Sequence, residues 1–137
     1  MNRWLNQFQL TFEKKVVDVY GKITFGATGA PTLSQVNSKG IVSVTRVSAG
    51  KYTFVFGTKA GMLDTYVKLI DVNAVYDTTG TSAAPAAPGL YVSNNSISIV
   101  NTASLTLVCT NNSGVATDPA SGEIGYFNFT LGDSTAQ

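Results

Sequence analysis

Gly40-Ile41-Val42-Ser43-Val44-Thr45-Arg46-Val47, Ser48-Ala49-Gly50, Lys51-Tyr52-Thr53-Phe54-Val55-Phe56 is the stretch whose reading decides the fold. Two runs rich in β-branched and aromatic residues flank a three-residue connector that ends on Gly, where a left-handed backbone closes a hairpin at little steric cost. Tyr52, Phe54 and Phe56 fall on one face of the second run and predict the largest single block of core burial. Unbroken alternation assigns these rings to the core rather than to stacking on sugars or bases.

The same period recurs on both sides of the hairpin. Val16 to Phe25 places Val17, Val19, Ile23 and Phe25 on one face and Asp18, Tyr20, Lys22 and Thr24 on the other, the pattern of a half-buried antiparallel strand. Gly26 to Pro31 is expected to end it, since Pro31 has no N–H to donate, with a loop to Lys39 and a short edge segment within Thr32 to Val36. Lys59 to Leu63 could form one helical turn, and Tyr66 to Tyr76 resumes β character. Residues 77–89 hold small side chains and two prolines, which predicts a long surface loop.

In the last third, strands are predicted at Leu90 to Val92, Ser96 to Val100, Ser104 to Cys109 and Glu123 to Leu131. Leu105, Leu107 and Cys109 are read as inward, with Ser104, Thr106 and Val108 outward. Phe127, Phe129 and Leu131 alternate with Tyr126, Asn128 and Thr130. Asn94-Asn95 and Asn111-Asn112-Ser113-Gly114 supply turn chemistry, because Asn and Gly tolerate positive φ. Strands at this spacing indicate an all-β, antiparallel β-sandwich or barrel.

Residues 13–137 then make a single domain, preceded by an arm or first strand over residues 1–12. That arm carries Trp4, Leu5, Phe8, Leu10 and Phe12, with Phe8, Leu10 and Phe12 on one strand face. Large apolar groups on a terminal arm either fold back on their own core or lie on a neighbour; both remain open from sequence.

Composition narrows the function classes. Of 137 residues only 12% are charged, about half the usual fraction, while 44% are hydrophobic. A surface built from Ser, Thr, Asn, Gly and Ala loses less on desolvation than one of Lys and Glu, and suits lasting contact with other proteins. A net charge of +1 without a basic cluster argues against nucleic-acid binding. The opening residues lack the continuous apolar core of a signal or membrane anchor.

The chain has no His and one Cys, Cys109, so the commonest triad, acid–base and zinc arrangements are missing, and no catalytic residue, metal site or cofactor is assigned. Cys109 reads as a small apolar side chain in a protein folded in a reducing cytoplasm. The carboxylates Glu13, Asp18, Asp64, Asp71, Asp77, Asp118, Glu123 and Asp133 could in principle supply a glycosidase pair, yet no spacing selects one, and they read as solvated turn residues.

Three segments carry a resemblance: Gly26-Ala27-Thr28-Gly29-Ala30-Pro31-Thr32-Leu33, the run from Ser38 through Thr53, and Ala116-Thr117-Asp118-Pro119-Ala120-Ser121-Gly122-Glu123-Ile124. In this order they resemble small structural proteins of tailed bacteriophages, the capsid decoration (cement) and head-fibre group, over roughly residues 15–135. The resemblance implies a homotrimeric protein made in the host cytoplasm and carried on the outer capsid surface of the virion, where it binds and stabilises the shell of major capsid protein. An alternative within the same group is a tail or head-fibre adhesin that binds a host-surface glycan through Tyr66, Tyr76 or Tyr91 and the 78–88 loop.

Overall fold

A computed structural model of the chain describes residues 16–57, 66–77, 89–95, 104–111 and 113–133. Within them lie eight strands: β1 (Val16–Phe25), β2 (Pro31–Leu33), β3 (Ile41–Ser48), β4 (Lys51–Phe56), β5 (Tyr66–Asp77), β6 (Gly89–Asn95), β7 (Ser104–Thr110) and β8 (Ile124–Asp133). They form two four-stranded antiparallel sheets, ordered β2-β1-β8-β5 and β3-β4-β7-β6, which pack face to face as a β-sandwich.

The β3–β4 hairpin forms as its residues predict. Gly50 takes φ +67 at the end of the connector, and a bulge between Arg46 and Ser48 accommodates the extra residue. Tyr52, Phe54 and Phe56 are all buried and meet the inward residues of β1 and β8 across the sandwich. Phe54 lies 5.0 Å from both Phe127 and Phe129, Phe56 5.0 Å from Phe129, and Tyr52 5.2 Å edge-on to Phe25. Val19, Ile23, Leu105, Leu107, Cys109 and Leu131 complete this core, with Val17 packed against its margin.

β1 and β8, far apart in sequence, are adjacent central strands paired in continuous register from Val16↔Gly132 to Thr24↔Ile124. Gly21 faces inward beneath Ile41, whose Cδ1 would lie 2.5 Å from any added Cβ. That close approach lets the 34–39 connection run beside β1, held by reciprocal Tyr20–Lys39 backbone bonds and by Ser38 Oγ accepting from Lys22 N.

Four expectations are corrected. Pro31 opens β2 instead of only ending β1, a position open to proline because β2 lies at a sheet edge. Asn94 and Asn95 lie within β6, beyond a bulge at Val92, rather than in a turn. Val108 is 0% exposed although it alternates with the core residues Leu107 and Cys109; its Cα partners on the neighbouring strands are Lys51 and Tyr91. Tyr76 turns inward, stacked 6.3 Å from Phe25 and edge-on to Phe127 at 5.8 Å, so its ring is partly buried against the core instead of standing exposed.

The 1–12 arm with Trp4, Leu5, Phe8, Leu10 and Phe12, the Lys59–Leu63 turn, the 78–88 loop and the Ser96–Val100 run lie outside the described residues.

Candidate functional site

The carboxylate that sequence reasoning placed in a solvated turn, Asp118, sits at the meeting point of three connections. Arg46, near the end of β3, donates from Nε to Asp118 Oδ1 at 3.0 Å and from Nη2 to Oδ2 at 2.7 Å, a two-pronged pair. The Gly50 N–H donates to Oδ1 at 2.8 Å, and the Tyr52 hydroxyl lies 2.9 Å from the same oxygen. That hydroxyl is also 3.1 Å from the Gly29 carbonyl; the charged carboxylate is the stronger acceptor and takes its one proton.

Four donors engage the carboxylate, three at Oδ1 and one at Oδ2, and all favour its ionised form. The Arg46 guanidinium, followed by the Gly50 N–H and the Tyr52 hydroxyl, holds the Asp118 carboxyl below its ordinary range against the opposing effect of burial. Burial, reinforced by Asp118, pushes the Tyr52 phenol well above its usual value. Asp118 therefore joins the Gly26–Ala30 turn, the β3–β4 turn and the approach to β8, and with its carboxyl held below the ordinary range it is a weakened base. Gly29 and Gly50 permit this approach: a Cβ on Gly29 would lie 2.5 Å from Asp118 Cγ, and both residues have positive φ.

The other acidic residues are dispersed. Asp18 accepts from Thr130 Oγ1 at 2.9 Å on the outward face. Glu123 is 7% exposed, and its Oε2 accepts the Ala120 N–H at 2.9 Å, bracing the turn that precedes β8. Glu13 and Asp64 lie outside the described residues. No group of three or more His, Cys, Asp or Glu among the described residues is placed to hold a metal ion.

Cys109 is buried, 3.0 Å from the Tyr76 hydroxyl, and burial pushes its thiol up despite that hydrogen bond. This agrees with its reading as an apolar side chain.

Two outer surfaces remain. Edge strands β5 and β6 each pair on one side only among the described residues, and they carry exposed Ile70, Tyr91 and Val92. On the outward face of the β2-β1-β8-β5 sheet, Tyr20, Asn128 and Asn73 form one transverse row and Lys22, Tyr126 and Val75 the next. A groove of about 200 Å3 runs over these rows, with Asn37 from the 34–39 connection at its rim. The exposed Tyr20 and Tyr126 were legible only as outward positions of their strands. Their proximity required the β1–β8 register.

No family model, no curated protein and no solved structure matches this chain.

Proposed function

We propose that this β-sandwich is a non-enzymatic viral structural protein. It forms a symmetric oligomer, a homotrimer, that binds the outer face of a shell of major capsid protein and stabilises it. The observation that carries this reading is the contrast between sheet edges. β2 is three residues long and begins with proline, which blunts it as a pairing template. β5 spans twelve residues, pairs regularly with β8 from Asp71 to Asp77, and shares its side of the sandwich with β6, where Tyr91 and Val92 are exposed. Such edges accept a strand from another chain through main-chain hydrogen bonds, and the alternating apolar residues Phe8, Leu10 and Phe12 suit the donor.

The low charge adds support, since few ionic groups need desolvation when such surfaces meet. Modest contacts repeated around a symmetric oligomer then combine into firm attachment. Light scattering on the purified protein, followed by sedimentation with undecorated phage heads, tests the reading. A trimeric mass and saturable co-sedimentation are expected; a monomer that stays in the supernatant at every concentration overturns it.

A further inference from the structure

The tyrosine-lined groove on the outward face of the β2-β1-β8-β5 sheet has a different character from the strand edges. Tyr20 and Tyr126 are 48% and 44% exposed, flanking a floor formed by the main chain of the inward-facing Gly21 and Phe127. Neither their hydroxyls nor the Asn73 and Asn128 amides have a hydrogen-bond partner among the described residues. Asn37 Nδ2 is engaged with Ser34 Oγ at 3.3 Å, which steadies the rim. Among the described residues the groove lining holds no charged side chain; beside it, Lys22 Nζ sits 5.8 Å from the Tyr126 ring centroid and Asp18 accepts from Thr130 on the same face.

We propose that this groove binds a neutral saccharide. Three features select that chemistry. The floor belongs to β1 and β8, whose main-chain groups face neighbours on both sides, so a peptide cannot add here as a strand and recognition must come from side chains. The recognising groups are two phenol faces, which attract the partly positive C–H surface of a sugar ring, and uncharged amides and hydroxyls that both donate and accept, as sugar hydroxyls do. Among the described residues the lining itself is uncharged, and the lysines near it, Lys22 and Lys39, share this face with Asp18, so no cluster of counter-charges awaits a polyphosphate.

The groove is smaller than the roughly 300–1,000 Å3 pockets that enclose a drug-sized ligand. A single sugar unit fills it, with the units on either side lying along the sheet. The groove borders the β5 edge of the assembly reading through Asn73 and Val75, but glycan binding is read without capsids and so stands or falls independently of capsid binding.

The test is a glycan array followed by titration of the full-length protein with the neutral hexasaccharides of glucose, galactose and N-acetylglucosamine, monitored by amide chemical shifts. Expected are saturable shifts on β1 and β8 with at least one of them. Tyr20→Ala and Tyr126→Ala should each weaken that binding about tenfold or more, at unchanged melting temperature. Val115→Ala, exposed in the turn after β7, should leave it intact. Absence of binding to every neutral glycan overturns the proposal, as does binding that survives both substitutions. So does binding confined to sulfated or sialylated glycans that disappears with salt, or a change of oligomer mass in Tyr20→Ala, which would assign the face to a second copy of the chain.

Discussion

Asp118 anchors three connections with one side chain, and its removal is the most informative single change. Asp118→Ala strands the Gly50 N–H, the Tyr52 hydroxyl and the Arg46 guanidinium at once. Each hydrogen bond to a charged group is worth about 1.5–3 kcal/mol, and Arg46 can recover water, so a loss of about 3 kcal/mol in urea unfolding is expected. The acid limb of stability has a definite sign. Because the folded carboxyl is the stronger acid, the unfolded chain takes up the proton first as pH falls. The contribution is complete above about pH 5, where the unfolded carboxyl is ionised, and drains as pH drops through the lowered folded value. Asp118→Asn should flatten that limb in melting curves recorded from about pH 2 to 6; an unchanged slope would show that Asp118 is not the group responsible. Gly50→Ala probes the same junction from the backbone. Its Cβ would lie 2.5 Å from the Cys109 carbonyl oxygen and the Thr117 nitrogen, so the loss should exceed the roughly 1–2 kcal/mol of a left-handed alanine alone. Cys109, buried with a raised thiol, should react with a disulfide reagent only at the rate of unfolding.

At the scale of elements, the aromatic strand β4 is where packing concentrates. Phe54 touches Phe127 and Phe129 across the sandwich, so Phe54→Ala should cost about 3–5 kcal/mol, read as a lowered urea midpoint with an unchanged slope. This much was legible in the sequence, because a period of two with Tyr, Phe and Phe on one face admits little besides a core strand. The β1 and β8 faces were legible for the same reason. Pairing was not: the register of Tyr20 with Asn128 and Asn73 depends on strands separated by most of the chain, and no local pattern encodes that. The Arg46–Asp118 pair escaped for the same reason, spanning 72 positions between a strand that reads as β from its neighbours and a loop that reads as an ordinary Asp-Pro turn. Tyr76 misled in another way. Lying at the end of a strand beside a polar loop, it looks exposed, yet Phe25 and Phe127 draw it into the sandwich.

For the whole molecule, the question is how a sandwich whose long edge strands β3, β5 and β6 each pair on one side only among the described residues avoids indiscriminate pairing. A specific partner strand is the economical answer, because an occupied edge no longer templates aggregation. The 1–12 arm, with Phe8, Leu10 and Phe12 at alternate positions, suits that role, and the two destinations open to it separate cleanly by experiment. An arm seated on its own sandwich stabilises the chain it belongs to, so deleting residues 1–12 would lower the melting temperature equally at every protein concentration. An arm seated on a neighbour links stability to concentration, because association draws on the pool of free chains. Deletion should then reduce the scattering mass to that of a monomer, abolish the concentration dependence of melting and leave the β-sheet circular dichroism signal in place. On the proposed capsid reading, attachment to a shell should fall further than the loss of one contact predicts, since linked sites gain roughly 100- to 10,000-fold over single ones. A truncated chain that remains trimeric and occupies shells fully would assign assembly to the sandwich surfaces alone.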